Sequence, residues 1–171
     1  FLLSTIKRLE EFCVTVISEM GLGTKILVMR FGPGTDLIKE IKETCRSRGI
    51  KYGIIHCCFG SLRKLYIRYY YPPKDPVNQP FGKDRDLELE KSFSVLSAQG
   101  MICETEDGDI DIHMHGVVRD DEGHLYGGDI REGNIVKNTM DVAVTVVSEM
   151  KLLRVWDEQT RHLQLKPVKE D

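Results

Sequence analysis

Residues 109–115 read Asp-Ile-Asp-Ile-His-Met-His, and this strict alternation constrains the fold more than any other stretch of the chain. A β-strand turns successive side chains to opposite faces. Ile110, Ile112 and Met114 therefore share one face, and Asp109, Asp111, His113 and His115 share the other. On a strand the two imidazoles stand roughly 6–7 Å apart, near enough to hold one cation between them. Asp120-Asp121-Glu122-Gly123 then signals a hairpin, and the returning stretch Leu125-Tyr126-Gly127-Gly128-Asp129 brings Asp129 opposite His113 or His115, according to register. Two imidazoles and a carboxylate are a donor set suited to a first-row divalent metal. Solvated strand faces also carry Asp and His with no ligand role. This face differs in holding four titratable groups and no Lys or Arg, so Asp109 and Asp111 repel each other unless a positive group stands near.

A chain of 171 residues is long enough for one domain with a full core. The formal net charge of −3 argues against indiscriminate nucleic-acid binding, which draws its affinity from neutralised phosphates. One local patch is still available: Arg63, Lys64 and Arg68, interleaved with Tyr66, Tyr69, Tyr70 and Tyr71. A solvated strand face or a subunit contact explains the same pattern. Five cysteines (Cys13, Cys45, Cys57, Cys58 and Cys103) form no C-x-x-C pair, a reduced, intracellular pattern that predicts core packing and a cytoplasmic protein. The opening Phe-Leu-Leu is broken by Lys7 and Arg8, which does not suit a signal peptide, and no apolar run reaches membrane-spanning length.

Ser4 is placed to cap a short helix carrying Ile6, Leu9 and Phe12, followed by a β-like stretch over 13–18 and a turn at Gly21-Leu22-Gly23. Residues 26–31 read as a strand, and Gly32-Pro33-Gly34-Thr35-Asp36 as its stop and the start of a helix. Leu37, Ile38, Ile41 and Cys45 recur at helical spacing, and Gly49 ends the helix. A buried strand over 50–59, interrupted by His56 (read as a satisfied buried histidine), turns at Gly60-Ser61 into a second strand over 62–70. The Pro-rich stretch 71–86 is the one long loop. Strands follow at 87–89, at 93–103 and in the hairpin, and 140–147 is the last regular element before a charged, loosely ordered tail. The expected organisation is an N-terminal extension over 1–24, a domain over 25–153 and a tail over 154–171. One helix among seven or eight strands describes an α+β domain built on a mixed or antiparallel sheet.

Several strings resemble one family. Phe31-Gly32-Pro33-Gly34-Thr35-Asp36-Leu37 is similar to the E-P-G-E-D-L opening of the plants-and-prokaryotes-conserved domain, and Phe59-Gly60-Ser61-Leu62 to its G-I-G-S-L turn. Phe93-Ser94-Val95-Leu96-Ser97-Ala98-Gln99-Gly100 resembles its F-E-I-L-S-L-S-G strand. Asp111-Ile112-His113-Met114-His115 with Gly127-Gly128-Asp129 resembles its H-x-H and G-G-H segments. The resemblance implies a homotrimer of α+β subunits and, from plant members, a DNA-associated role. The Arg-Gly-Arg-Pro core of the plant AT-hook is absent from this sequence. It also implies metal ligation by the H-x-H and G-G-H positions, here His113, His115 and Asp129, with zinc the expected ion. Asp in place of the third His shifts the site toward harder metals.

Two functions follow as expectations. The first is a homotrimeric, metal-binding regulatory or DNA-associated protein, with Arg63, Lys64 and Arg68 as its nucleic-acid contacts. The second is a metal-dependent small-molecule enzyme or sensor whose ion keeps open coordination positions, with His56 and Gly60-Ser61 lending polar groups. No nucleophile with an adjacent base and no phosphate-cradling glycine loop can be picked out.

Overall fold

Asp36 takes an extended backbone and accepts a hydrogen bond from Lys39 N at 3.3 Å, which starts α1 (Leu37–Ser47) as an N-cap should. Leu37, Ile38, Ile41 and Cys45 are all buried, so the helical stripe read from spacing is the face that packs on the sheet. The structure, a computed structural model, describes residues 17–75 and 82–170. The expected helix after Ser4 lies outside those residues, as does most of the β-like stretch over 13–18.

Nine strands accompany α1 among the described residues: β1 (Leu22–Phe31), β2 (Gly53–Tyr71), β3 (Lys83–Leu89), β4 (Phe93–Thr105), β5 (Ile110–Asp120), β6 (Leu125–Ile130), β7 (Ile135–Ser148), β8 (Met150–Asp157) and β9 (His162–Lys169). They form one sheet in the order β1-β7-β2-β6-β5-β4-β8-β9, with β3 on β2. All pairs are antiparallel except β4 with β8, so the sheet is mixed. Because β2 also pairs with β4, the strands β2, β4, β5 and β6 hydrogen-bond in a closed circuit.

β2 runs 19 residues without the turn expected at Gly60-Ser61. The chain instead passes through a bulge there, where the register against β7 shifts between Gly60 and Leu62. Gly60 has φ 151°, and a Cβ would lie 2.2 Å from the Thr139 carbonyl oxygen, so only glycine lets the strand continue past β7 at this point. Beyond the bulge β2 reaches β3 and β6, and it extends into the stretch read as loop, with Tyr71 paired to Lys83.

The core gathers the apolar face of β5 (Ile110, Ile112, Met114) with Leu62, Leu65, Ile102, Val142 and the stripe of α1. Burying each such aliphatic side chain contributes about 1.5–3 kcal/mol relative to leaving it in water. Of the four described cysteines, all free thiols, Cys45, Cys58 and Cys103 are buried in the core and Cys57 is half-buried. Burial pushes Cys45 up to about 11 and Cys58 and Cys103 up to about 12, which leaves them unreactive at neutral pH.

The tail is the main correction to the sequence reading. Instead of loose chain, residues 150–169 form the β8–β9 hairpin, paired from Met150↔Lys169 to Asp157↔His162. Leu152 anchors it in a small second core with Tyr52, Cys103 and Val147. Charges at Lys151, Arg154, Asp157, Lys166 and Lys169 hide this hairpin from a hydropathy reading, and one of the two buried positions on β8 is an arginine, Arg154.

Candidate metal centre

The hairpin register decides the site, and a buried carboxylate helps set the register. The side chain of Asp120 is fully buried at the end of β5. Its Oδ1 accepts from Glu122 N at 3.0 Å and His124 N at 2.8 Å, and its Oδ2 from the Tyr126 hydroxyl at 3.1 Å and Lys91 Nζ at 3.3 Å. Burial alone would raise this carboxyl, but the hydrogen bonds outweigh it and hold Asp120 well below the usual carboxylate range. The turn so pinned pairs Arg119 with Leu125 and, four residues on, His115 with Asp129. A one-residue slip would send Asp129 to the opposite face.

The alternation of β5 holds in three dimensions: Ile110, Ile112 and Met114 are buried, while His113 is half-buried and His115 exposed on the other face. The imidazole centroids stand 4.9 Å apart at 72°. Ligand atoms of His113, His115 and Asp129 all lie within 4.8 Å of one another. The Asp129 Oδ2 accepts from Arg131 Nη1 at 2.9 Å, whereas its Oδ1 is buried and has no hydrogen-bond partner. Leaving a carboxylate oxygen buried and unpaired is costly. A cation between the imidazoles and this carboxylate would relieve that cost, so the residues present fit a metal.

The two aspartates that begin the alternation are drawn off by arginines from distant segments. Asp109 pairs with Arg46 of α1 at 2.7 Å, and Asp111 lies 3.3 Å from Nε of Arg154 on β8. Burial, reinforced by the positive charge of Arg154, pushes the His113 imidazole below its ordinary value of 6.5, partly opposed by Asp129. A neutral imidazole keeps the lone pair that ligation needs.

A cleft of about 990 Å³ opens on this cluster, walled by His113, His115, Asp129, Arg154, Thr160 and His162, among others. A second, of about 470 Å³, meets the same two histidines beside Gln99 and Arg154. His56 lines the second cleft, but it is exposed rather than buried and shares a 2.7 Å hydrogen bond with Thr145 Oγ1. Ser61 is engaged elsewhere, its hydroxyl accepting from Asn138 N.

The expected basic patch takes a different form. Arg68 makes a two-pronged pair with Asp86, at 2.7 and 3.1 Å, and Lys64 pairs with Glu88, both partners lying on β3. Tyr66 donates its hydroxyl to the same Asp86. Arg63 stands exposed beside these neutralised neighbours.

Two residues of the site escape sequence reasoning. Arg131, two positions after Asp129 and just past the end of β6, carried a readable signal in that spacing. Arg154 carried none, because it belongs to the hairpin read as a tail.

Residues 18–148 match the Plants and Prokaryotes Conserved (PCC) domain. The chain belongs to this family. Among curated proteins, the Bifunctional protein GlmU of Synechococcus sp. (strain JA-2-3B'a(2-13)) is 27% identical over 141 residues, covering 82% of this chain and 20% of the relative. That of Synechococcus sp. (strain JA-3-3Ab) is 25% identical over the same length and shares. The chain thus spans about a fifth of the length of the curated relatives it matches. Solved PCC-like folds include a metal-containing protein from Archaeoglobus fulgidus (24% identity, TM-score 0.71, 88% of this chain and 98% of that one). A plant- and prokaryote-conserved protein from Pyrococcus horikoshii has the same TM-score of 0.71 at 21% identity, covering 91% and 98%. A candidate DNA-binding protein from Bacteroides thetaiotaomicron does so at 16% identity, with the same coverage of 91% and 98%. At these identities the structures establish a shared PCC fold. Among the described residues of this PCC chain, no helix is long and apolar enough to cross a membrane.

Proposed function

We propose that this PCC domain is a regulatory module that binds a divalent metal, zinc by expectation, through His113, His115 and Asp129. The observation that carries the reading is the buried, unpartnered oxygen of Asp129 in a cluster whose ligand atoms lie within 4.8 Å of one another. Three protein ligands leave coordination positions open to a ligand arriving through the cleft. When bound, the ion would supply a Lewis acid to polarise that ligand's oxygen. Arg131 orients the carboxylate, and the half-burial of His113 keeps its imidazole neutral and ready. The curated relatives, in which such a segment is a fifth of a longer bifunctional protein, suit a regulatory module better than a self-sufficient enzyme. Metal analysis after zinc loading tests the reading, which requires a stoichiometric ion.

The pH dependence has a definite sign. Metal affinity, read by chelator competition, should fall as pH drops through the histidine range, because protons compete for the ligating nitrogens. In the metal-free chain the depressed value of His113 adds stability above pH 6.5 that is lost as pH falls through the folded value. A flat affinity profile across that range would contradict ligation by histidine.

We also propose that the domain works as a homotrimer. β1, at the edge of the sheet among the described residues, exposes Ile26 at 77% and Val28 at 72%, and β2 exposes Phe59 at 51%. An exposed apolar patch at a sheet edge marks an interaction surface, and a second copy of the chain is the partner the family resemblance implies. Sedimentation equilibrium should give three times the chain mass at micromolar concentration, and a monomer mass would end this reading.

A DNA-associated role has less support. Lys64 and Arg68, two of the three cations of the expected patch, are paired to β3 acids, which leaves Arg63 to face phosphates there. No sequence-specific duplex binding is expected at physiological salt. Sub-micromolar binding that is lost in the Arg63→Ala, Arg68→Ala double variant would reverse this.

A further inference from the structure

Among the described arginines that line the main cleft, Arg154 carries a buried N–H with no hydrogen bond. Arg68 is engaged by Asp86, and Arg131 by Asp129. Arg154 is only 8% exposed, yet its Nε makes no hydrogen bond, although the Asp111 Oδ2 lies 3.3 Å away. Asp111 balances the charge, but a buried N–H without a well-aligned acceptor is still costly. Its fork of donors matches a carboxylate or other planar oxyanion better than any other small group. Arg154 lines both clefts that meet at His113 and His115, so an anion held by its guanidinium would sit beside the metal cluster.

The surroundings limit the charge of that anion. Asp84 and Asp129 line the main cleft, and Asp111 is beside the guanidinium. A phosphate dianion would face three carboxylates, whereas a single negative charge is balanced by the ion and one arginine. Gln164 on the β8–β9 hairpin lies along the same wall, its amide donating one hydrogen bond to Thr160 at 3.0 Å and keeping a second N–H.

We infer that the cleft binds a small monocarboxylate, held between the Arg154 guanidinium and the ion at His113, His115 and Asp129. The inference rests on the metal reading for one of its two anchors, and Arg154 supplies the other independently.

Acetate titrated into the cobalt-loaded chain tests it, with the visible cobalt bands reporting the metal side and the arginine Nε–H resonance reporting Arg154. Both signals should saturate together, and chloride at matched ionic strength should leave them in place. The Arg154→Gln, Asp111→Asn double variant keeps the buried charges balanced. It should hold the same cobalt and bind acetate about tenfold or more weakly, the scale of a lost charged hydrogen bond. Arg154→Lys, which keeps the charge without the fork, should fall between the two. A cobalt-loaded wild type whose bands ignore acetate, or a double variant that binds it undiminished, overturns the inference and leaves the metal reading standing. If the chain takes up no cobalt, the metal reading falls instead. The Nε–H resonance in the metal-free chain then decides for Arg154: a saturable acetate shift supports the anchor, and its absence rejects it.

Discussion

His113→Ala should strip most of the bound metal from the purified protein while leaving the fold in place. His113 lies on the polar face of β5, opposite the buried Ile112 and Met114, so truncating it removes a ligand without opening the core. Its loss should cost more than the ~10–100-fold in affinity typical of removing an outer-shell partner. Asp129 offers a sharper comparison. Asp129→His restores a third imidazole and should retain or tighten the metal. Asp129→Ala discriminates, since a solvated bystander could be lost without effect, whereas a carboxylate with one buried oxygen, opposite His115 in register, could not. Metal analysis of the three variants checks this, and unchanged metal in His113→Ala would remove the site as described.

Gly100→Ala should damage both fold and site. Gly100 lies in β4 between Ile55 of β2 and Met114 of β5. A Cβ there would stand 2.2 Å from the His113 carbonyl oxygen and 2.7 Å from Met114 Cα, both backbone atoms that cannot swing aside. Accommodating the methyl means separating β4 from β5 at the residue that carries the first ligand. Such overpacking costs about 3 kcal/mol, and the shift in β5 should lower metal occupancy as well. Gly32→Ala is the control, since a Cβ there meets nothing within 4 Å. Urea midpoints that coincide for the two variants would show that the strands can part freely at Gly100.

Much of the architecture was legible in local pattern. The helix followed from Asp36 and the spacing of Leu37, Ile38, Ile41 and Cys45, because a 3.6-residue period and a capping side chain act within one or two turns. The two imidazoles on one face of β5 followed from a period of two, which backbone sterics impose on any strand. β2 was cut in two because Gly-Ser reads as a turn when the close approach of Thr139, 79 positions after Gly60, is unknown. The β8–β9 hairpin was missed because its inward position at 154 is filled by a charge, which hydropathy assigns to solvent.

By itself the sequence determined which side chains could act together: donors His113 and His115 on one strand face, a hairpin behind them, and an acid on the return. Tertiary structure alone decided which of them do. Asp109 is withdrawn by Arg46 and Asp111 is approached by Arg154, partners 63 and 43 residues away, while Asp120 holds the register that sets Asp129 against His115. Periodicity comes from the sterics of neighbouring residues and survives in any short window. Charge pairing, burial and register depend on which distant strands meet, and no local window contains that.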